Sequence, residues 1–261
     1  MSDEQDRNFD TLVSHFDQRI YGTGKGRIRL EVIWQQLCAT LPGILEDRPL
    51  RILDAGCGTA ALASRLAGHH DLTLCDISRG MLDAARETLG SRPAGPPVRF
   101  LHVPLQSLVD EELEPFDLIL CHAVLEWLAD PQQAVNSLKP LLKPAGHLSL
   151  LFYNLHSLVF RNLVRGNLRK VDSGNFAGEP GGLTPQHPLA PEAVMEWLDQ
   201  AGYMIVSHGG VRTFYDLMQP AQRDRISLDD LIGMEQRFGG REPYRSLARY
   251  QHLICRPQQR D

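Results

Sequence analysis

The chain predicts an α/β fold built on a doubly wound, mostly parallel sheet with helices on both faces. Three observations predict it. Short apolar runs alternate with helical segments, an Asp-x-Gly-x-Gly loop follows the first of those runs, and the composition is that of an ordinary globular protein. The 261 residues are 43% hydrophobic and 23% charged, enough to bury a full core without disulfide or metal staples. They are expected to form one domain: an N-terminal helical segment (1–49), a βα core (50–154), and a third part (155–261) that ends in a strand pair.

Arg27–Leu41 spaces Ile28, Val32 or Ile33, Leu37 and Leu41 for one helical face, and Pro42-Gly43 stops it. Residues 50–56, LRILDAG, read as a buried strand entering a loop, and 59–68 as a helix. LTLCD is the second strand. SRGMLDAARETLG has a Ser cap and a terminal Gly, so it is a helix. VRFLHV, FDLILCHA and GHLSLLFYN are three further strands, and Asp130-Pro131 opens a helix between the last two that runs to about Leu142. HSLVFRNLVRGNLRKV (156–171) reads as one helix. Residues 172–191, rich in Gly and Pro, read as a long loop. A helix near 191–201, a strand near 203–212, an insertion over about 213–246 and a last strand near Leu247–Cys255 complete the count.

Composition narrows the function. No run of 18 apolar residues exists, so no membrane span is expected. The opening MSDEQDRNFD lacks the basic and then apolar order of a signal peptide. Five cysteines without a CxxC pair argue against disulfides or a zinc ribbon and for a reducing cytoplasm, and no metal is expected. Net charge is −5, split into −6 over residues 1–154 and +1 over 155–261, where 12 of 13 cations are arginine. A nucleic-acid partner would therefore meet a local patch.

The strongest local signal is Asp54-Ala55-Gly56-Cys57-Gly58. Glycines there let the backbone turn sharply and approach a ligand, and the helix start that follows offers free N–H groups. Asp76 ends the second strand, placed to accept bonds from ribose hydroxyls. Ala61 stands where a dinucleotide fold wants its third Gly, so a nucleoside cofactor without pyrophosphate is the better reading.

This D-x-G-x-G loop resembles motif one of the class I methyltransferases that use S-adenosylmethionine. Asp6–Asp10, Ile20–Gly26, His122–Pro131, Phe152–Asn154, Glu242–Tyr244 and Arg249–His252 narrow the match. On these stretches the chain resembles the bacterial tRNA 5-carboxymethoxyuridine methyltransferases from Asp6 to about Arg256. The resemblance implies a Rossmann-like, seven-stranded sheet whose last two strands are an antiparallel pair. It implies methyl transfer to the carboxylate of a wobble uridine in the tRNA anticodon stem-loop. It implies cofactor contacts at Arg29, Gly56, Cys57, Asp76, Leu105, Gln106 and His122, with Asp54, Gly58 and Ile77 beside them.

A carboxylate is already ionised at pH 7, so no general base is expected. Tyr21, Lys25, Tyr153, Asn154, Tyr244 and Arg249 are candidates for positioning the substrate. Arg161, Arg165, Arg169 and Lys170, on one stripe of the expected helix, are candidates for tRNA contact, ahead of Arg223, Arg225, Arg237, Arg241 and Arg245. The rival readings are a methyltransferase of a small-molecule carboxylate or hydroxyl, and a cofactor-binding partner subunit without catalysis.

Overall fold

A computed structural model describes residues 6–10, 23–46, 48–90, 95–178 and 185–258. Tyr21 lies outside them. The described elements are α1 (Gly24–Thr40), β1 (Arg51–Ala55), α2 (Ala63–Leu66), β2 (Asp71–Cys75), α3 (Arg79–Leu89), β3 (Val98–Leu101), β4 (Phe116–His122), α4 (Pro131–Leu138), β5 (Leu142–Tyr153), α5 (Leu155–Val164), α6 (Leu168–Asp172), α7 (Pro191–Gln200), β6 (Tyr203–Val211), α8 (Pro220–Arg223), α9 (Leu228–Phe238), α10 (Tyr244–Leu247) and β7 (Tyr250–Pro257).

The seven strands form one sheet in the order β3-β2-β1-β4-β5-β7-β6. β1, β2, β3, β4 and β5 pair in parallel. β7 runs antiparallel to both β5 and β6, as expected of the terminal pair. Period-two burial builds a core on each face. Ile52, Leu118 and Leu120 face α1, α3 and α9 with Ile28, Val32, Leu82 and Leu231. Leu53, Ile119 and Cys121 face α4 and α7 with Val135, Leu138 and Val194.

Helix starts follow side-chain chemistry. The hydroxyl of Thr23 caps α1 by accepting from Gly26 N, that of Ser78 caps α3 by accepting from Met81 N, and Asp130 caps α4 at Gln133 N. Each satisfies a donor that would otherwise be unpaired, and Pro131 follows Asp130 in the first turn, where no N–H is needed.

Four expectations need correction. The helix expected over 59–68 shrinks to Ala63–Leu66, because Gly56, Gly58 and Ala60 all hold positive φ and spend the preceding residues on turns. The helix expected over 156–171 breaks at Gly166, whose φ of +74° lies in the left-handed region. Strand five starts earlier, at Leu142, with Pro144-Ala145-Gly146 inside it. The last strand begins at Tyr250 rather than Leu247, since 244–247 form a helical turn.

Candidate active site

Strand order reverses between β1 and β4, the place where open α/β sheets carry a crevice at their carboxyl ends. A pocket lies there. Arg29, Asp54, Gly56, Cys57, Gly58, Asp76, Ile77, Leu105 and His122 all line it, so nine residues expected at a cofactor meet in one cavity. Gln106 is not in the lining. Its Nε2 donates to Asp6 Oδ2 at 3.0 Å, while its Oε1 is buried without a partner.

The glycine loop is held by its own backbone. Gly56 N and Cys57 N donate to Cys75 O at 2.8 and 2.9 Å, and Gly58 N donates to Asp76 Oδ2 at 2.9 Å. The free helix-start N–H groups expected here are therefore replaced by bonded loop amides ahead of a four-residue helix. Asp76 Oδ1 accepts from Ser78 N at 2.8 Å, leaving the second lone pair of each oxygen available. Gly56 is required twice over: its φ is +79°, and a Cβ there would lie 2.4 Å from Val124 Cγ2.

Three carboxyl groups set the electrostatics. Burial, with Asp76 nearby, raises Asp54 to about 7 against the pull of Arg29. Burial likewise raises Glu126 to about 7. Burial also raises Asp76 despite its two backbone donors. Such carboxylates gain from an added cation or hydroxyl donor and would repel a phosphate.

His122 ends a buried hydrogen-bonded chain. Gln36 Nε2 donates to Gly210 O at 3.3 Å, so its Oε1 must accept from His252 Nδ1 at 2.6 Å. His252 Nε2 then accepts the Ser149 hydroxyl at 2.7 Å, and Ser149 Oγ accepts from His122 Nε2 at 2.8 Å. The bond directions leave Nδ1 of His122 as a lone-pair acceptor. Both rings stay neutral: burial lowers His252 to about 3, and burial, then His252 and Arg29, lower His122 well below its ordinary value.

The site includes a part that residue reasoning missed. Asp6–Asp10 straps the pocket: Asp6 Oδ1 accepts from Ala129 N at 2.9 Å, Arg7 N donates to Trp127 O at 3.1 Å, and Asp10 Oδ1 accepts from Ser78 Oγ at 2.6 Å. Phe9 meets the Trp127 ring edge-on at 5.0 Å, with the Arg7 guanidinium 4.9 Å from that ring. The motif stretches Asp6–Asp10 and His122–Pro131 gave a signal for both partners, but no spacing rule joins residues more than a hundred positions apart.

The substrate-side candidates divide. Tyr153 is buried, and its hydroxyl accepts from Arg249 Nη1 at 2.7 Å. Asn154 is fully buried and spent on structure: it donates to Ser246 O and Ala248 O and accepts from His156 N. Lys25 is exposed at the start of α1. Tyr244 is partly exposed in an aromatic cluster with Phe214 and Phe238. The four cations do not share one helical stripe: the helix breaks at Gly166, Arg161 has its Nε buried near Tyr153 and Arg249, and Arg165, Arg169 and Lys170 are exposed.

Sequence comparison settles the kinship. Residues 53–148 match the family model described as a methyltransferase domain. The tRNA 5-carboxymethoxyuridine methyltransferase of Escherichia coli K12 is 39% identical over 98% of this chain and 99% of its own length. The chain belongs to the tRNA 5-carboxymethoxyuridine methyltransferase family. It is also similar to a ubiquinone biosynthesis O-methyltransferase of Bordetella avium, 33% identical over 73% of this chain and 76% of that one. In fold it is similar to the magnesium protoporphyrin IX methyltransferase of Synechocystis PCC 6803, with a TM-score of 0.63, 18% identity and 96% of each chain covered. The stretches 6–10 and 122–131, which carry the resemblance, both contribute to the lining of this one cavity. Among the described residues no His, Cys, Asp and Glu are grouped to hold a metal, and no helix is long and apolar enough to cross a membrane.

Proposed function

We propose that this protein transfers a methyl group from S-adenosylmethionine to the carboxylate of 5-carboxymethoxyuridine at the wobble position of tRNA, giving the methyl ester. The observation that carries the reading is the full-length kinship to the E. coli tRNA 5-carboxymethoxyuridine methyltransferase. The pocket at the β1/β4 switch point supports it.

The pocket residues fit the cofactor. Asp76 has lone pairs for ribose hydroxyls and Asp54 suits an ammonium group, while Gln106, next to the lining residue Leu105 but outside the lining itself, keeps an orphaned Oε1 for an amino donor such as that of adenine. The Gly56 cradle admits a ligand where a side chain would not fit. Arg29, 4% exposed in the pocket wall, is the residue for the cofactor's own carboxylate. When bound, S-adenosylmethionine supplies a methyl group on a positively charged sulfur that leaves with the bonding electron pair.

The residues of this chain then have three tasks: to bind, to orient and to exclude water. Since the substrate carboxylate is ionised at pH 7, no side chain needs to take a proton. Positioning of this kind is worth roughly 7–11 kcal/mol. The strap of Asp6–Asp10 and Trp127 walls one side of the pocket from solvent.

The test is direct. Purified protein incubated with labelled cofactor and tRNA carrying 5-carboxymethoxyuridine should move label into an ester that mild alkali removes. Nucleosides of cells lacking the protein should show the free acid accumulating. Label appearing only on a small metabolite would overturn the tRNA reading.

A further inference from the structure

On the β5–β7–β6 side of the rim, residues from four separate stretches enclose one buried carboxylate. Asp216, whose side chain is 5% exposed, accepts two bonds from Arg212 Nη2 at 2.9 and 2.7 Å and one from Arg249 Nε at 2.8 Å. Arg161 of α5 enters the same field, and Lys25 stands at its exposed edge. Four cations thus surround Asp216, and Glu235 is the second carboxyl within reach of its field. Burying guanidinium groups in excess of their carboxylate partners is unfavourable for folding, so the remaining surplus calls for a counter-charge.

Two donors in the cluster are unused. Nε of Arg212 and Nε of Arg161 are buried and have no hydrogen-bond partner. Burial and neighbouring charge together set the protonation of its members, and Asp216 raises Arg249 against burial. Burial and then Arg249 lower Arg161, and burial lowers Lys25 even with Asp216 near. Burial would raise Asp216, but Arg212 and Arg249 outweigh it and hold the carboxyl at about 2.

The backbone is committed to this geometry. Arg212 holds φ +64°, a conformation that side-chain-bearing residues seldom adopt outside constrained sites. The turn after it is clamped by Glu235, whose carboxylate accepts from Thr213 N, Phe214 N and Tyr215 N at 2.7, 2.8 and 3.0 Å. The cluster also adjoins the pocket. The Tyr250 ring lies 5.0 Å from the guanidinium of Arg29, which lines the pocket, and 5.8 Å from that of Arg212.

We propose that this cluster is a preformed oxyanion site that receives the carboxylate of the substrate uridine, with Arg212 and Arg161 donating and Asp216 holding the arginines in place. The inference rests on the methyltransferase reading above. A guanidinium can hold one carboxylate oxygen and leave the other open. Esterification removes the negative charge, so the neutral product loses its hold on the site. A tRNA backbone phosphate offers oxyanion chemistry of the same kind, and the experiment separates the two sources.

Anticodon stem-loops carrying 5-carboxymethoxyuridine, its methyl ester or 5-hydroxyuridine at one position are titrated with full-length protein and S-adenosylhomocysteine. The wild type should bind the acid at least about tenfold more tightly than the other two, the effect of one charge-assisted pair. Arg161→Gln and Arg212→Lys should shrink that preference to about twofold or less while leaving 5-hydroxyuridine RNA binding and S-adenosylhomocysteine affinity unchanged. Equal loss on all three RNAs would assign the cluster to phosphate and overturn the proposal, as would an undiminished preference or none in the wild type. If Arg212→Lys fails to fold, Arg161→Gln alone carries the test, since it breaks no hydrogen bond of Nε. Intact acid preference without any methyl transfer would instead sink the methyltransferase reading and leave the site standing.

Discussion

The two halves of the carboxyl rim are built on opposite plans. The β1–β2–β4 half uses backbone: Gly56, Cys57 and Gly58 wind a loop against Cys75 and Asp76, and the charged groups at its strand ends, Asp54 and Asp76, are carboxyls. The β5–β7–β6 half uses side chains, with arginines from α5, the end of β6 and the start of β7 collected around Asp216. A half made of backbone turns needs its residues close in sequence. One made of long side chains can draw them from anywhere, and residues 25, 161, 212, 216 and 249 are so drawn.

Breaking the first half should give the largest effect. Asp76→Ala removes the acceptor for Gly58 N and Ser78 N together with the proposed ribose contact. Cofactor affinity should fall at least ~100-fold, about 2.7 kcal/mol, and calorimetry showing near-normal binding would refute the assignment. Gly56→Ala should cost roughly 1–3 kcal/mol of stability from its φ alone, with the Val124 clash added. Thermal melts of Gly56→Ala with Val124→Ala should recover only the clash.

A pH titration sharpens the contrast between an acidic half and a basic one. Asp54 in the folded chain sits at about 7, above its unfolded value of 3.8. A raised carboxyl binds a proton in the folded state that the unfolded chain has lost. Stability of the free protein should therefore fall as pH rises from about 4 to 7 and then level off. Cofactor affinity should do the reverse, weakening by up to about tenfold per unit as pH drops below 7 and Asp54 loses its charge. Glu126 shares that window, so only the part of each slope that Asp54→Asn abolishes belongs to Asp54.

The smallest effect should come from the exposed cations outside both halves. Replacing Arg165, Arg169 and Lys170 by Ala should weaken tRNA binding about three- to tenfold at low salt. The slope of log affinity against log salt should flatten by about 0.9 for each phosphate these cations neutralise. An unchanged slope in filter binding would make this face a solvated one.

Legibility in the sequence follows the same division. Period-two strands, helix caps at Ser78 and Asp130, and the glycine loop are readable because each rule acts within a few residues. So is the antiparallel end of the sheet, through resemblance. The stretch 156–171 reads as one long helix because its apolar spacing outweighs a single glycine, yet Gly166 breaks it. Asn154 looks like a base reader after a strand, but it caps α5 and ties down Ser246 and Ala248. Arg212 and Asp216 carry no motif at all, since four residues of local spacing do not announce a partner at 249.

The line of bonds from Gly210 through Gln36, His252 and Ser149 to His122 crosses from one half to the other. Its polarity is imposed at the far end, where a carbonyl can only accept. Every proton along it therefore has a single allowed seat, and the imidazole beside the pocket arrives with its lone pair already settled. A ligand meeting that ring finds an acceptor fixed in advance, with no tautomer to switch and no hydroxyl to turn first.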